Sequence, residues 1–425
     1  MSTFHLFDAL RALRHQIHKL GDRFKRSATW SPANLMTILL LLKTPGQNFS
    51  YRSVLALADK MGSSLLSWPR TPSIGSMSKA RSKLDIPRCL EFLSSISRQV
   101  TKQLHKARHV WKGRRIIAVD GSTLVVPRSS DTLKIFKCPK GGADGTEAHH
   151  PRALLVLALD VLRRVPVTHV LGRKGEGERT LIKRMIDSFR PGDVVVMDRG
   201  FPSRDLLLEL TRRKIDVVMR VSADKAATWK EFRPFLSGKS KTADITLDLG
   251  RSHERVTVKA RLVERDRQRG RPRRGTKKER MVLLTTLDEG DGFTRAELVK
   301  LYASRWGVET AFRELKTFMA TEPFHAKTAL GIEQEIIAGL IWQALASLLE
   351  STALDGVPDG YRIVRTDCYR FAGILLGDFL AGRYREEEFL KLVEELRRYA
   401  QKRKPNRYAE RKCNVPYGRS QRQFG

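Results

Sequence analysis

The chain has 425 residues, 41% of them hydrophobic, which allows two or three domains and at least one sizeable core and excludes a disordered protein. Lysine and arginine number 80 against 46 acidic residues, a formal charge of +34, so the partner that offsets this self-repulsion is a polyanion, with nucleic acid the first expectation. The four cysteines, Cys89, Cys138, Cys368 and Cys413, have no paired C-x-x-C spacing, which argues against a disulfide framework and a zinc module and fits a reducing cytoplasm.

Residues 1–110 place apolar side chains at helical spacing, and Ser31-Pro32 supplies a cap and first-turn pair before an apolar run, so a helical N-terminal region is expected. The run Leu35 to Leu42 falls short of the roughly 20 residues needed to cross a bilayer, and no membrane partner is expected. The first thirty residues, with Asp8 and Asp22 among scattered basic residues and helical periodicity, lack the apolar run and cleavage site of an export signal. A helix over Tyr51 to Met61, stopped by Gly62, and a second over Ser76 to Leu84 resemble helix-turn-helix logic, with Lys79, Arg81 and Lys83 expected on the exposed side of the second. The loop between them is far longer than the usual three or four residues, so DNA contact and an ordinary solvated face stay equally open.

From residue 114 the pattern switches to short apolar runs. Arg115 to Asp120 reads as a buried strand, followed by a loop to about Pro151; Ala153 to Asp160 and Val165 to Leu171 read as an antiparallel hairpin. Glu178 to Phe189 reads as a helix, Asp193 to Asp198 as a buried strand, Ser203 to Lys214 as a helix and Asp216 to Val221 as a strand. The order β-β-β-α-β-α-β is the connection order of a ribonuclease H-like α/β sheet, with both aspartate-ended strands near its centre. Residues 222–290 interrupt it with strands expected at Ala243 to Leu249, Arg255 to Arg265 and Arg280 to Leu287. Between the last two, Arg265 to Arg280 holds nine basic and two acidic residues, read as a DNA-contacting loop. Helix resumes from Thr294 through about Met319 and again from Gly331 to Leu349, and the thirty residues from Leu396 form a basic tail.

The chemistry is carried by acids. Ile116 to Ser122 contains Asp120, Val194 to Gly200 contains Asp198, and each aspartate follows an apolar strand, where a carboxylate is costly unless a cation or donor meets it. Singly, either is a turn-capping residue; paired on neighbouring central strands they suit a divalent metal with oxygen ligands. Two such ions about 3.5–4 Å apart support in-line phosphoryl transfer. A third carboxylate is expected at Glu309. On one continuous helix Tyr302, Arg305, Glu309 and Lys316 would share a face, an acid flanked by two cations and a phenol.

Tyr302, two residues, Arg305, three residues, Glu309, six residues, Lys316 resembles without a gap the mark of bacterial DDE transposases of the insertion sequence four family. Asp120 in Val-Asp-Gly-Ser matches the first acidic motif, Asp198-Arg199-Gly200-Phe201 matches the second, and the strand-rich insertion lies where that family places one. The resemblance covers roughly residues 30–405. It implies cut-and-paste DNA transposition through a hairpin intermediate, with Asp120, Asp198 and Glu309 holding two Mg²⁺, replaceable by Mn²⁺, and Arg199, Tyr302, Arg305 and Lys316 gripping double-stranded DNA around an extruded base. It also implies a homodimer bringing element ends and target DNA together, in the cytoplasm at the nucleoid. The family's stacking tryptophan in the insertion is matched only by Trp229, early in that region, while Trp306 reads more readily as a core aromatic.

The resulting division is a helical DNA-recognition region at 1–110, a catalytic domain at 111–221 and 291–350, a strand-rich insertion at 222–290, and a helical region with basic tail at 351–425. A ribonuclease H-like nuclease or resolvase without strand transfer, or an inactive DNA-binding protein, are the alternatives.

Overall fold

The computed structural model describes residues 30–61, 71–140, 146–224, 228–248, 255–265, 279–290, 292–317, 324–380 and 385–403. The expectations for the first 29 residues, for the interior of the basic loop (266–278) and for most of the basic tail (404–425) lie outside the described residues.

The described chain opens with α1 (Pro32–Leu42), α2 (Tyr51–Met61), α3 (Ile74–Arg81) and α4 (Ile86–Gln103). Ser31, Ser73 and Asp85 cap α1, α3 and α4, each side chain accepting from a backbone N–H three residues on. Then come β1 (Ile116–Val125), α5 (Ser130–Ile135), β2 (Arg152–Asp160), β3 (Val165–Gly172), α6 (Glu178–Lys183), β4 (Val194–Met197), α7 (Arg204–Arg212) and β5 (Asp216–Val221). The insertion contributes α8 (Arg233–Ser237), β6 (Thr242–Asp248), β7 (Arg255–Arg265) and β8 (Glu279–Thr285). Helices α9 (Arg295–Ala303), α10 (Trp306–Thr317), α11 (Ala329–Leu354), α12 (Arg365–Leu380) and α13 (Glu386–Arg398) follow, with β9 (Tyr361–Arg362) and β10 (Gln401–Lys402) as a small ribbon.

The main sheet has eight strands in the order β3-β2-β1-β4-β5-β8-β7-β6. β1 pairs antiparallel with β2 and parallel with β4, and β4 pairs parallel with β5, which is the ribonuclease H-like arrangement expected from the connection order. The insertion does not form a sheet of its own. Its β8 pairs antiparallel with β5, at Val218↔Thr285, and β7 and β6 extend the same sheet outward.

Alternation along the central strands divides the core in two, because successive side chains point to opposite faces. Ile116, Ala118, Val194 and Val196 face a large core shared with α1, α4, α10 and α11, whereas Ile117, Val119, Val195 and Met197 face a smaller one shared with α6 and α7. Helix α11 is long and apolar enough to cross a membrane, but 89% of its apolar window is buried inside the protein: it is the central helix of the larger core.

Three local expectations are corrected. The helix expected from Thr294 to about Met319 is two, because Ser304 and Arg305 turn the chain between α9 and α10. The Ser304 hydroxyl donates to Leu301 O at 2.6 Å, and Arg305, Gly307 and Val308 N–H groups bond three residues back, a tightening that ends α-helical pairing. Asp120 is not at a strand end, since β1 continues to Val125 against β2, with Asp120↔Leu157. Arg81 is not on an exposed face: it is 6% exposed and reaches Gln334 Oε1, Gly331 O, the Tyr51 hydroxyl and Glu335. The alternation of charges around α3 could not reveal that α11 brings a carboxylate against it.

Candidate active site

The parallel register of β1 and β4 ends at Val119↔Met197. Asp120 and Asp198 are the next residue on each strand, so the topology sets the two carboxylates side by side where β4 stops and β1 runs on. Both are half-buried. Burial first, then the neighbouring Asp198 and Glu309 charges, raise the Asp120 pKa, while Arg305 and the Gly121 N–H pull against that rise. Asp120 Oδ1 accepts from Gly121 N at 2.9 Å, and Asp198 Oδ1 accepts from Gly200 N at 2.6 Å.

Asp120 has the strand parity of Ala118 and Leu124, so it faces the layer containing α10. From there Arg305, at the turn before α10, places Nη1 2.9 Å from Asp120 Oδ2 and Nη2 2.6 Å from Glu309 Oε1. The structure thus links Glu309 to Asp120 through one shared guanidinium. Lys316, two turns further along α10, donates to Ser122 Oγ at 2.9 Å and Thr123 O at 2.8 Å, fastening the helix to the outer half of β1. Tyr302 is on the preceding helix and is buried, with the Arg305 guanidinium 6.0 Å from its ring centroid; burial pushes its phenol pKa up. Arg199 is exposed beside Asp198.

The tryptophans are placed otherwise than expected. Trp229 is half-buried, packed on Phe232 and covered by Arg204, whereas Trp306 is 61% exposed next to Arg305. The reading of Trp306 as a core aromatic is therefore overturned: the break between α9 and α10 turns its side chain outward.

One acid went unnoticed in the sequence. Glu178, the first residue of α6, approaches from the opposite layer, and its Oε1 would lie 2.1 Å from a Cβ at Gly121. A Cβ at Gly200 would meet Glu178 Oε2 and Asp198 Oδ1, each at 3.2 Å. The available signal was topological. β3 runs parallel to β1, so the helix entered after β3 begins at the same rim of the sheet as Asp120 and Asp198.

Among the described residues no three His, Cys, Asp or Glu side chains close tightly enough to cage a metal as they stand. Between Asp120 and Glu309 lies the Arg305 guanidinium, which pairs with both. The donor chemistry nevertheless fits a hard divalent cation: every acid offers only oxygen, and burial together with mutual repulsion makes an added positive charge favourable there.

A ribonuclease H-like sheet with acids on its two central strands and a third from a covering helix defines a class of nucleic-acid phosphoryl-transfer proteins. Residues 111–343 match the family described as transposase DDE domain, more than half of the chain, and the chain belongs to that family. DDE transposases use divalent metal ions. The chain is similar to the transposase InsG for insertion sequence element IS4 of Escherichia coli (strain K12), 22% identical over 236 residues, which are 53% of this chain and 50% of that protein. It therefore spans about half the length of the curated relative it matches. A cryo-EM structure of the piggyBac transposase synaptic complex with hairpin DNA aligns with a TM-score of 0.42 and 12% identity, over 93% of this chain and 84% of that one.

Proposed function

We propose that this protein is a DNA transposase that cleaves the ends of an insertion sequence and joins them to target DNA. The observation that supports the reading is the placement of Asp120 and Asp198 just past the last paired residues of β1 and β4, with Arg305 linking Asp120 to Glu309. In this reading Asp120, Asp198 and Glu309 would hold two Mg²⁺, replaceable by Mn²⁺, which would supply charge stabilisation for phosphoryl transfer.

The protein's own groups do the rest. Arg305 neutralises Asp120 and Glu309, and its planar fork would also suit the oxygens of a DNA phosphate at this rim. Lys316 keeps α10 tied to β1, so that Glu309 stays in register with Asp120. Arg199, exposed next to Asp198, contacts the backbone of the element end, and Tyr302 supports Arg305 from beneath. The net charge of +34 supplies sequence-independent attraction to double-stranded DNA. A homodimer holding two ends, a hairpin intermediate and residence at the nucleoid complete the proposal, as does the division at 1–110, 111–221 with 291–350, 222–290 and 351–425.

Incubating pre-cut element ends with Mg²⁺ and a target plasmid tests it. Joined product is expected, and cleavage without joining would instead identify a nuclease or resolvase. Glu309→Gln should abolish cleavage and retain end binding; unchanged cleavage would remove Glu309 from the mechanism.

A further inference from the structure

Among the described residues Glu178 has no partner that explains its position. Among the described residues it makes no hydrogen bond or ion pair, although it is half-buried and the chain carries a large excess of cations. The charges that act on it most strongly are the carboxylates of Asp120 and Asp198, both unfavourable. Carboxylates without cations normally swing toward solvent or toward the nearest arginine. Arg179, its chain neighbour, instead donates from Nε to Gly200 O at 2.7 Å, and so fastens the loop that bears Asp198.

The backbone makes room for this arrangement. At Gly121 and Gly200, the residues following Asp120 and following Arg199, a missing side chain lets the Glu178 carboxylate rest against the sheet rim. An alanine at Gly121 would put its Cβ 2.1 Å from Oε1, a separation no native contact tolerates, so Glu178 would have to leave. Gly121 is in the strand, in regular pairing with Val156, so no positive φ demands glycine there. The close approach of Glu178 does.

From this placement we infer that Glu178 is a fourth carboxylate of the metal centre, reaching across Gly121 from the layer opposite α10 to share a divalent cation with Asp120 and Asp198. The inference rests on the metal-dependent reading above. It gives the centre acids from both faces of the sheet: Glu309 from the α10 side and Glu178 from the α6 side.

Titration calorimetry of Mn²⁺ into the full-length, DNA-free protein tests it without reference to catalysis. Glu178→Gln should weaken Mn²⁺ binding by at least about tenfold, the scale on which a lost metal-orienting group acts. Gly121→Ala retains every carboxylate and should produce a similar loss by displacing Glu178, so it decides the matter if Glu178→Gln fails to fold. The metal-free thermal midpoint of Glu178→Gln should stay level or rise, because a repulsive charge has gone; a merely structural Glu178 would lower the midpoint and leave Mn²⁺ affinity alone. Asp198→Asn separates the two ideas. If it abolishes Mn²⁺ binding while Glu178→Gln and Gly121→Ala leave it unchanged, the role of Glu178 is overturned and the metal site stands. If none of the three alters binding, the metal-dependent reading itself falls.

Discussion

Two buried or half-buried glutamates, Glu335 in α11 and Glu178 in α6, answer the cost of burying charge in opposite ways. Glu335 is fully buried and fully matched. Lys43 Nζ lies 2.9 Å away, Arg81 Nη1 3.4 Å, and the N–H groups of His325 and Ala326 donate to its two oxygens at 3.1 and 3.0 Å. Burial alone would raise its pKa, but His325, Lys43 and Arg81 outweigh it and hold the carboxyl down to about 2. Glu178 has the reverse setting, with a pKa raised first by burial and then by Asp120 and Asp198. The first arrangement is complete in itself and joins three segments, α1, α3 and α11. The second is unfinished, which is how a site that must accept a cation differs from one that only holds the fold together.

The contrast can be broken most directly by neutralising an acid at each place. Asp198→Asn should lower DNA cleavage by at least about 10³-fold, the loss of several kcal/mol of charge stabilisation that a metal provides, while leaving the thermal midpoint unlowered. A drop in stability comparable with that of a core variant would place Asp198 among the structural acids. Glu335→Ala should act in the opposite sense, costing about 3–5 kcal/mol in urea unfolding because Lys43 and Arg81 stay buried without their anion. Cleavage per folded molecule should change little.

The acid limb of the stability curve sharpens the same point. The folded pKa of Glu335 lies below the usual value of about 4.3, so its contribution is present above that pH and is lost as pH falls toward 2. Wild type should therefore lose about 2 kcal/mol between pH 5 and pH 2.5 beyond what Glu335→Gln loses, measured by urea unfolding of both proteins at the two pH values. Equal slopes would mean that the matched cluster contributes nothing through its charge. The smallest effect expected is at Trp306. Its exposed indole beside Arg305 is suited to stack on an unpaired base, so Trp306→Ala should weaken binding to an element end with an extruded base by about 1–3 kcal/mol, and binding to intact duplex far less.

The sheet was legible because its signals are local: short apolar runs ending in Asp120 and Asp198, and turn chemistry at Leu162 to Arg164 between β2 and β3. Insertion strands β6 to β8 were also visible as runs, but their attachment to β5 was not, because pairing partners are chosen by the edge that topology leaves open. Glu309 and Arg305 could be found by spacing, yet the turn at Ser304 that directs Trp306 outward depends on one hydroxyl competing for a carbonyl. Arg81 and Glu178 are the instructive pair. One looked like a surface cation and is buried against Glu335; the other began an expected helix without being noticed as an acid and faces two aspartates. In each case the decisive partner lies far away in the chain, Glu335 for Arg81 and Asp120 for Glu178, and periodicity carries no information about it.

The Glu335 cluster also bears on where this protein can be divided. The family match closes at residue 343, in the middle of α11, and opens at residue 111, after Lys43 and Arg81. A fragment cut at those limits would keep Glu335 but discard both of its cations, and would split the helix that the larger core surrounds. Such a piece should aggregate or stay partly unfolded, whereas one beginning before Trp30 and running past Leu396 keeps the whole of the larger core: the limits of ancestry and the limits of autonomous folding need not coincide.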